Sequence, residues 1–189
     1  STTIKMMTGI LVPSSGVLRV LGHTPWRDRR RYTRSIGVVF GQRTNLWWDL
    51  PLCDSLELLR HVYEVPAERF RENRGRFERL LGLDGFLDTP VRQLSLGQRM
   101  RGDLAAALLH DPEIVFLDEP TIGLDVLAKQ RIRAFIRDAN RERGTTFLLT
   151  THDLGDVERL CRRVVLIASG KLLFDGLLPD LVARFGPER

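Results

Sequence analysis

The sequence predicts an α/β fold built on a parallel sheet, and three features carry that expectation. Ile114 to Leu117 is an unbroken apolar run, as in a strand covered on both faces. Thr146 to Thr151 (TFLLTT) reads as a second buried strand. Each follows a stretch with helical spacing: Leu96, Met100, Leu104 and Leu108 before the first, Val126 to Arg143 before the second. Asp111-Pro112 stops the first helix and Gly144 ends the second.

The stretch from Gln93 to Asp125 concentrates the chemistry. Ser95 reads as a helix N-cap, with Gln98 at the reciprocal capping-box position. Gly97 lies in the first turn of that helix, and a helix N-terminus is a phosphate-binding surface. The strand at 114–117 runs into two carboxylates, Asp118 and Glu119, followed by Pro120. Ligands of open α/β sheets bind beyond the carboxyl ends of the strands. An aspartate there can hold magnesium, and a glutamate beside it can polarise a water. Alone, each feature has a plainer meaning, since acids at strand ends are ordinary turn chemistry and a capping box is ordinarily structural. Together they favour nucleotide chemistry.

At this point the sequence resembles the ATP-binding-cassette (ABC) ATPases. Leu94–Gln98 (LSLGQ) is similar to their signature motif, usually LSGGQ, with Leu96 where glycine is common. Ile114–Pro120 (IVFLDEP) resembles their Walker B strand, and Gly123–Asp125 (GLD) their D-loop. The resemblance implies a P-loop NTPase with a parallel core sheet, a small antiparallel β part and a helical subdomain. It implies ATP and Mg²⁺ as ligands, and a head-to-tail dimer with a second cassette. Glu119 would be the general base, Asp118 would hold magnesium, and His152, at the end of the 146–151 run, would contact the γ-phosphate. Ser95, Gly97 and Gln98 would close over the nucleotide of the opposite copy, and Asp125 would link the two sites.

Composition is compatible with this. The 189 residues are 43% hydrophobic and 28% charged, which suits a domain with a core and not a disordered chain. A net charge of +5 suits an anionic ligand or a membrane surface and is too mild to argue for nucleic acid, so no nucleic-acid partner is expected. Cys53 and Cys161 show no ligand spacing. No apolar run approaches the roughly 18 residues of a membrane span, and no signal peptide is visible.

The chain opens on Ser1-Thr2-Thr3, which alone is an N-cap cluster. Against the family it is the tail of a Walker A motif, with the glycines and lysine expected upstream. Ser1 would then supply a magnesium hydroxyl and Thr2 would sit against a phosphate. On that alignment the sequence begins inside the motif, and the fragment itself is expected to be inactive. Gly16 to Gly22 alternates like an exposed antiparallel strand. Arg27, Arg29, Arg30, Arg31 and Arg34 read as a solvated helix face. Ile36 to Phe40 is a short strand delivering Gln42, which matches the family's Q-loop glutamine, a magnesium ligand that also orients water.

Trp47-Trp48 point to opposite sides if the chain is extended, which leaves room for one ring in the core and the other outside. They are loop anchors or a docking surface. In the family this neighbourhood receives the membrane subunit, and FGQRTNLWWDLP resembles cassettes of bacterial drug-export systems. Residues 54–88 read as helices. Val164–Ile167 and Lys171–Phe174 read as a hairpin about Ser169-Gly170, and Leu177–Phe185 as a closing helix.

The expected organisation is one cassette over 1–189, with a core at 1–42 and 93–189 and a helical subdomain at 43–92. The expected function is ATP hydrolysis powering a membrane exporter, with a transmembrane permease subunit as partner and a peripheral place on the cytoplasmic face of the membrane. The alternative is a non-transport ABC ATPase acting on nucleic acid or ribosomes. Gln42 and Ser95 are only 53 positions apart, too close for the coiled coil of the chromosome-organising members.

Overall fold

The computed structural model describes residues 2–41 and 43–185. Two compact units emerge, 1–150 and 151–189.

In the first unit, β1 (Ile36–Phe40), β2 (Ile114–Asp118) and β3 (Thr146–Thr150) form a parallel sheet in that order. The register places Ile36 beside Ile114 and Ile114 beside Thr146, so the strands end together at Phe40, Asp118 and Thr150. Val115, Phe116 and Leu117 are fully buried, as the apolar run requires. Helix α1 (Thr2–Met7) covers one face: Ile4 packs with Ile36, Phe116 and with Tyr32 of α2 (Arg29–Tyr32). The Tyr32 hydroxyl donates to the Met7 carbonyl at 2.6 Å, satisfying the end of α1.

Side chains alternate along a strand, so Gly37 faces away from Ile36. There α5 (Leu96–Leu108) approaches so closely that a Cβ on Gly37 would lie 2.3 Å from the Ala107 carbonyl oxygen. Helix α6 (Val126–Arg143) buries Ile132, Phe135, Ile136 and Ala139 and ends at Gly144 with φ 67°. Phe135 meets Phe77 edge to face at 5.7 Å.

Phe77 belongs to α4 (Ala67–Leu81), which with α3 (Leu52–Val62) forms the helical part. Leu52, Leu56, Leu59, Phe70, Phe77 and Leu81 turn inward, whereas Val62 is exposed. Arg101 of α5 donates to the carbonyls of Leu81 and Gly82 at 2.8 and 2.9 Å, closing the end of α4. A second tie gathers at Asp111, which has a left-handed backbone, φ 53°. It accepts from Arg69 at 2.6 Å and from Arg143. Fully buried Asn73 donates to the Leu109 carbonyl at 2.9 Å and accepts from Arg143 at 2.8 Å. Buried polar groups satisfied in this way fix α4 to α6 and to the turn before β2.

Two expectations need correction, the first at the 146–151 run: β3 is a strand, but it is exposed at Thr146 and only half-buried from Phe147 to Thr150. Residues 16–22 form no strand; only an isolated bridge joins Val20 and His23, and Val17 is 89% exposed. Alternation alone does not make a strand when no neighbour takes its backbone groups. Neither tryptophan is a core residue, for Trp47 and Trp48 are 40% and 50% exposed. The apolar side of their loop is supplied instead by buried Leu46 and Leu52.

In the second unit, Asp153 caps α7 (Leu154–Leu160) by accepting from the Gly155 amide at 2.9 Å. Strands β4 (Arg163–Ala168) and β5 (Lys171–Leu177) pair antiparallel. Ser169 and Gly170 both have positive φ, the two-residue turn that suits the twist of a hairpin. Helix α8 (Leu178–Phe185) follows.

Candidate functional site

The candidate site lies where β2 ends. Asp118 is held from both neighbouring strands. The Thr150 hydroxyl donates to Asp118 Oδ1, and the Gly41 amide donates to the Asp118 carbonyl at 2.8 Å. The Glu119 amide donates to the Thr150 carbonyl at 3.0 Å. Burial pushes the Asp118 carboxyl up; hydrogen bonds and nearby positive charge, Thr150 and Lys5 among them, bring it below the usual carboxylate range. It is therefore ionised at neutral pH and half-buried.

Glu119 adopts the left-handed conformation, φ 54°. For a residue with a Cβ this costs about 1–2 kcal/mol, and such strain persists where the surroundings fix it. Here the fixing contacts are the Thr150 carbonyl and the close passage of Gly41. A Cβ at position 41 would lie 2.5 Å from the Glu119 carbonyl oxygen and 3.0 Å from that of Asp118.

A second cluster forms at the start of α5. The Ser95 hydroxyl accepts from the Gln98 amide at 3.2 Å, and Gln98 Oε1 accepts from the Ser95 amide at 2.8 Å. The expected capping box is thus present, and it uses the Gln98 side chain. Gly97 faces the segment that opens α6: its Cβ would lie 3.3 Å from Ala128 Cβ. Leu96, the departure from the common signature, reaches Gly123, whose own Cβ would lie 3.1 Å from Leu96 Cδ2. Asp125 is the N-cap of α6 and accepts from the Ala128 amide at 2.8 Å. Ser95, Gly97 and Asp125 are therefore brought together by packing of the α5 start against residues 123–128.

Thr2 opens α1 and is exposed. Ser1 and Gln42 lie outside the described residues. His152 is exposed in the second unit, between Thr151 and the cap residue Asp153. Sequence reasoning missed Thr150 and Gly41. Thr150 could have been found as a hydroxyl at the end of an otherwise apolar run; nothing in the sequence signals the approach of Gly41.

Magnesium ordinarily takes one or two carboxylates together with water and phosphate oxygens. The ionised, half-buried Asp118 fits that requirement. Among the described residues no group of three or more His, Cys, Asp or Glu could hold a metal ion.

The ABC transporter family model matches residues 1–122. The chain belongs to the ABC transporter family. The ABC transporter ATP-binding protein NatA of Bacillus subtilis (strain 168) is 30% identical over 181 residues, covering 96% of this chain and 73% of that protein. The daunorubicin resistance ATP-binding protein DrrA3 of Streptomyces coeruleorubidus is 35% identical over 195 residues, covering all of this chain and 59% of the relative. Among solved structures, the dimeric post-hydrolysis state of the ATP-binding cassette MJ0796 bound to ADP and Pi superposes with a TM-score of 0.81 at 26% identity. It covers 94% of this chain and 79% of that one. This ABC cassette thus has the expected α/β architecture: parallel core sheet, small antiparallel sheet and helices.

Proposed function

We propose that this ABC cassette is the ATP-hydrolysing subunit of a membrane exporter. The observation that carries the proposal is the Asp118–Glu119 pair, fixed at the end of β2 by Thr150 and Gly41. Glu119 accepts a proton from the attacking water as it adds to the γ-phosphorus of ATP, and ADP leaves. Asp118, with Ser1 and Gln42, would hold Mg²⁺. The ion offsets phosphate charge when bound. Thr2 contacts phosphate and His152 contacts the γ-phosphate. Ser95, Gly97 and Gln98 of a second copy close the site head to tail, with Asp125 between the two sites.

The resemblance to a drug-resistance cassette favours export, and the dimeric MJ0796 structure favours the paired arrangement. Among the described residues no helix is long and apolar enough to cross a membrane. We place the coupling to a membrane in a transmembrane permease subunit, with the cassette peripheral on the cytoplasmic face; the export-type relatives support this reading. Exposed Trp47 and Trp48 are the proposed contact.

The test is Glu119→Gln in the full-length protein. ATP binding is expected to persist while turnover falls by roughly 10²–10⁴, the usual worth of a positioned acid–base group. Near-normal steady-state hydrolysis would remove Glu119 as the base.

A further inference from the structure

We propose that Asp103 is a positioning residue that fastens residues 44–46 to α5, so that the loop after β1 and the Ser95–Gly97 surface are set as one piece. The proposal rests on the ATPase reading above.

Asp103 sits in the interior of α5 and is 3% exposed. Its Oδ1 accepts from the Thr44 hydroxyl and from the Asn45 amide, both at 2.9 Å. The Thr44 hydroxyl in turn accepts from the Leu46 amide at 3.1 Å. Asn45 Nδ2 donates to the Val38 carbonyl at 2.8 Å, so residues 44–46 are bound to α5 on one side and to β1 on the other. On the near side of position 42, Gly41 is bound to Asp118. The chain on either side of Gln42 is thus anchored, once to the carboxylate strand and once to the signature helix.

Apolar contacts tighten the second anchor. A Cβ on Gly102 would lie 2.9 Å from Leu52 Cδ1 and 3.0 Å from Leu46 Cδ1. One turn earlier on α5, the Arg99 guanidinium lies 5.6 Å from the Trp48 ring centroid. The same helix therefore holds the segment after Gln42 and one of the two exposed tryptophans.

A carboxylate is a costly choice for such a position. Burial raises Asp103 to about 6 despite both hydrogen bonds and the neighbouring Arg99. An apolar side chain would suit a purely structural helix interior better. What it would lack is an acceptor for two donors on a loop.

The test uses the full-length protein assembled with its membrane partner. Wild-type hydrolysis is measured first; its absence overturns the ATPase reading and this inference with it. Given hydrolysis, Asp103→Leu, which keeps the branched outline and removes the acceptor, is expected to lower kcat about tenfold, as a small misplacement of a reacting group does. The KM for ATP should stay within about twofold, because the phosphate-binding residues remain. Thr44→Val is expected to give a similar loss, and the double variant no further loss. Asp103→Asn retains Oδ1 and is expected to recover most of the turnover. Unchanged kcat in Asp103→Leu overturns the inference alone. So does a multiplicative double variant, or an asparagine variant as slow as the leucine one. Thermal midpoints are followed in parallel, and a kcat loss that merely tracks them reduces Asp103 to a packing residue, which also overturns it.

Discussion

Gly41 passes so close to Glu119 that a single added carbon would lie 2.5 Å from the glutamate's carbonyl oxygen. The end of β1 is in this way moulded onto the backbone of the residue proposed as the base. Gly41→Ala is expected to destabilise the cassette by about 1–3 kcal/mol, as overpacking does. It should also lower turnover by shifting Glu119. Thermal unfolding and phosphate release, measured on the same preparation, check both effects. A variant with wild-type stability and rate would mean that the approach is loose.

Trp47 and Trp48 keep 40% and 50% of their surface exposed, and Arg99 of α5 lies over the Trp48 ring. Replacing both with alanine is expected to cost on the order of 1–3 kcal/mol, the worth of the covered half of each ring, and to leave the cassette folded. Co-purification with the permease subunit is expected to fall sharply. Normal assembly and transport in the double variant would return the two rings to the role of loop anchors.

Stability is expected to respond to acid through one buried and one half-buried group of opposite sign. His110 stacks on Tyr63 at 3.8 Å, and burial lowers it to about 4 from an ordinary 6.5. Between those values the unfolded chain binds more protons, so His110 contributes stability above pH 6.5 that is lost as pH falls toward 4. Asp103 is raised to about 6 from an ordinary 3.8, so the folded chain binds more protons in that window and stability falls as pH rises through it. The two slopes oppose each other over the shared range. His110→Phe keeps a ring on Tyr63 and removes one slope. Denaturant titrations from pH 7 to pH 4 should show this variant losing on the order of 3 kcal/mol less than wild type. An unchanged acid slope would place the linkage elsewhere.

Asp111 accepts from Arg69, Asn73 and Arg143 and joins the helical part to the rest of the first unit. Asp111→Ala removes an acceptor from buried Asn73 and from the Arg69 and Arg143 guanidinium groups, leaving them the Leu109 carbonyl and Glu72. It is expected to cost about 2–4 kcal/mol, as removing one member of a partly buried charged network does. Asp111→Gly, which suits the left-handed φ but supplies no carboxylate, separates the two contributions. If it matches wild type, backbone shape and not charge explains the residue.

Much of this was legible in the sequence because local and long-range demands agree. Ser95 and Gln98 cap α5 as their spacing requires, the apolar run at 114–117 is a buried strand, and Ser169-Gly170 turns a hairpin. What was not legible depends on neighbours that no periodicity encodes. Gly41 looks like any loop glycine until β2 is beside it. Asp103 looks like a residue on the wet side of a helix until Thr44 and Asn45 fold over it. Among the described residues the alternation at 16–22 has no strand beside it to complete the pattern, and after β1 it is Leu46 and Leu52, not the tryptophans, that are buried.

Helix α5 is tied along its length: by the box at Ser95, by Arg101 to the end of α4, by Asp103 to the loop after β1, and by Asn73 at the carbonyl of its C-cap, Leu109. Its amides should therefore be the last in the molecule to trade hydrogen for deuterium, opening only with the whole first unit. Protease scanning and random mutagenesis should find the same thing from other directions. This helix will be the stretch that neither cleavage nor sequence drift enters while the fold survives.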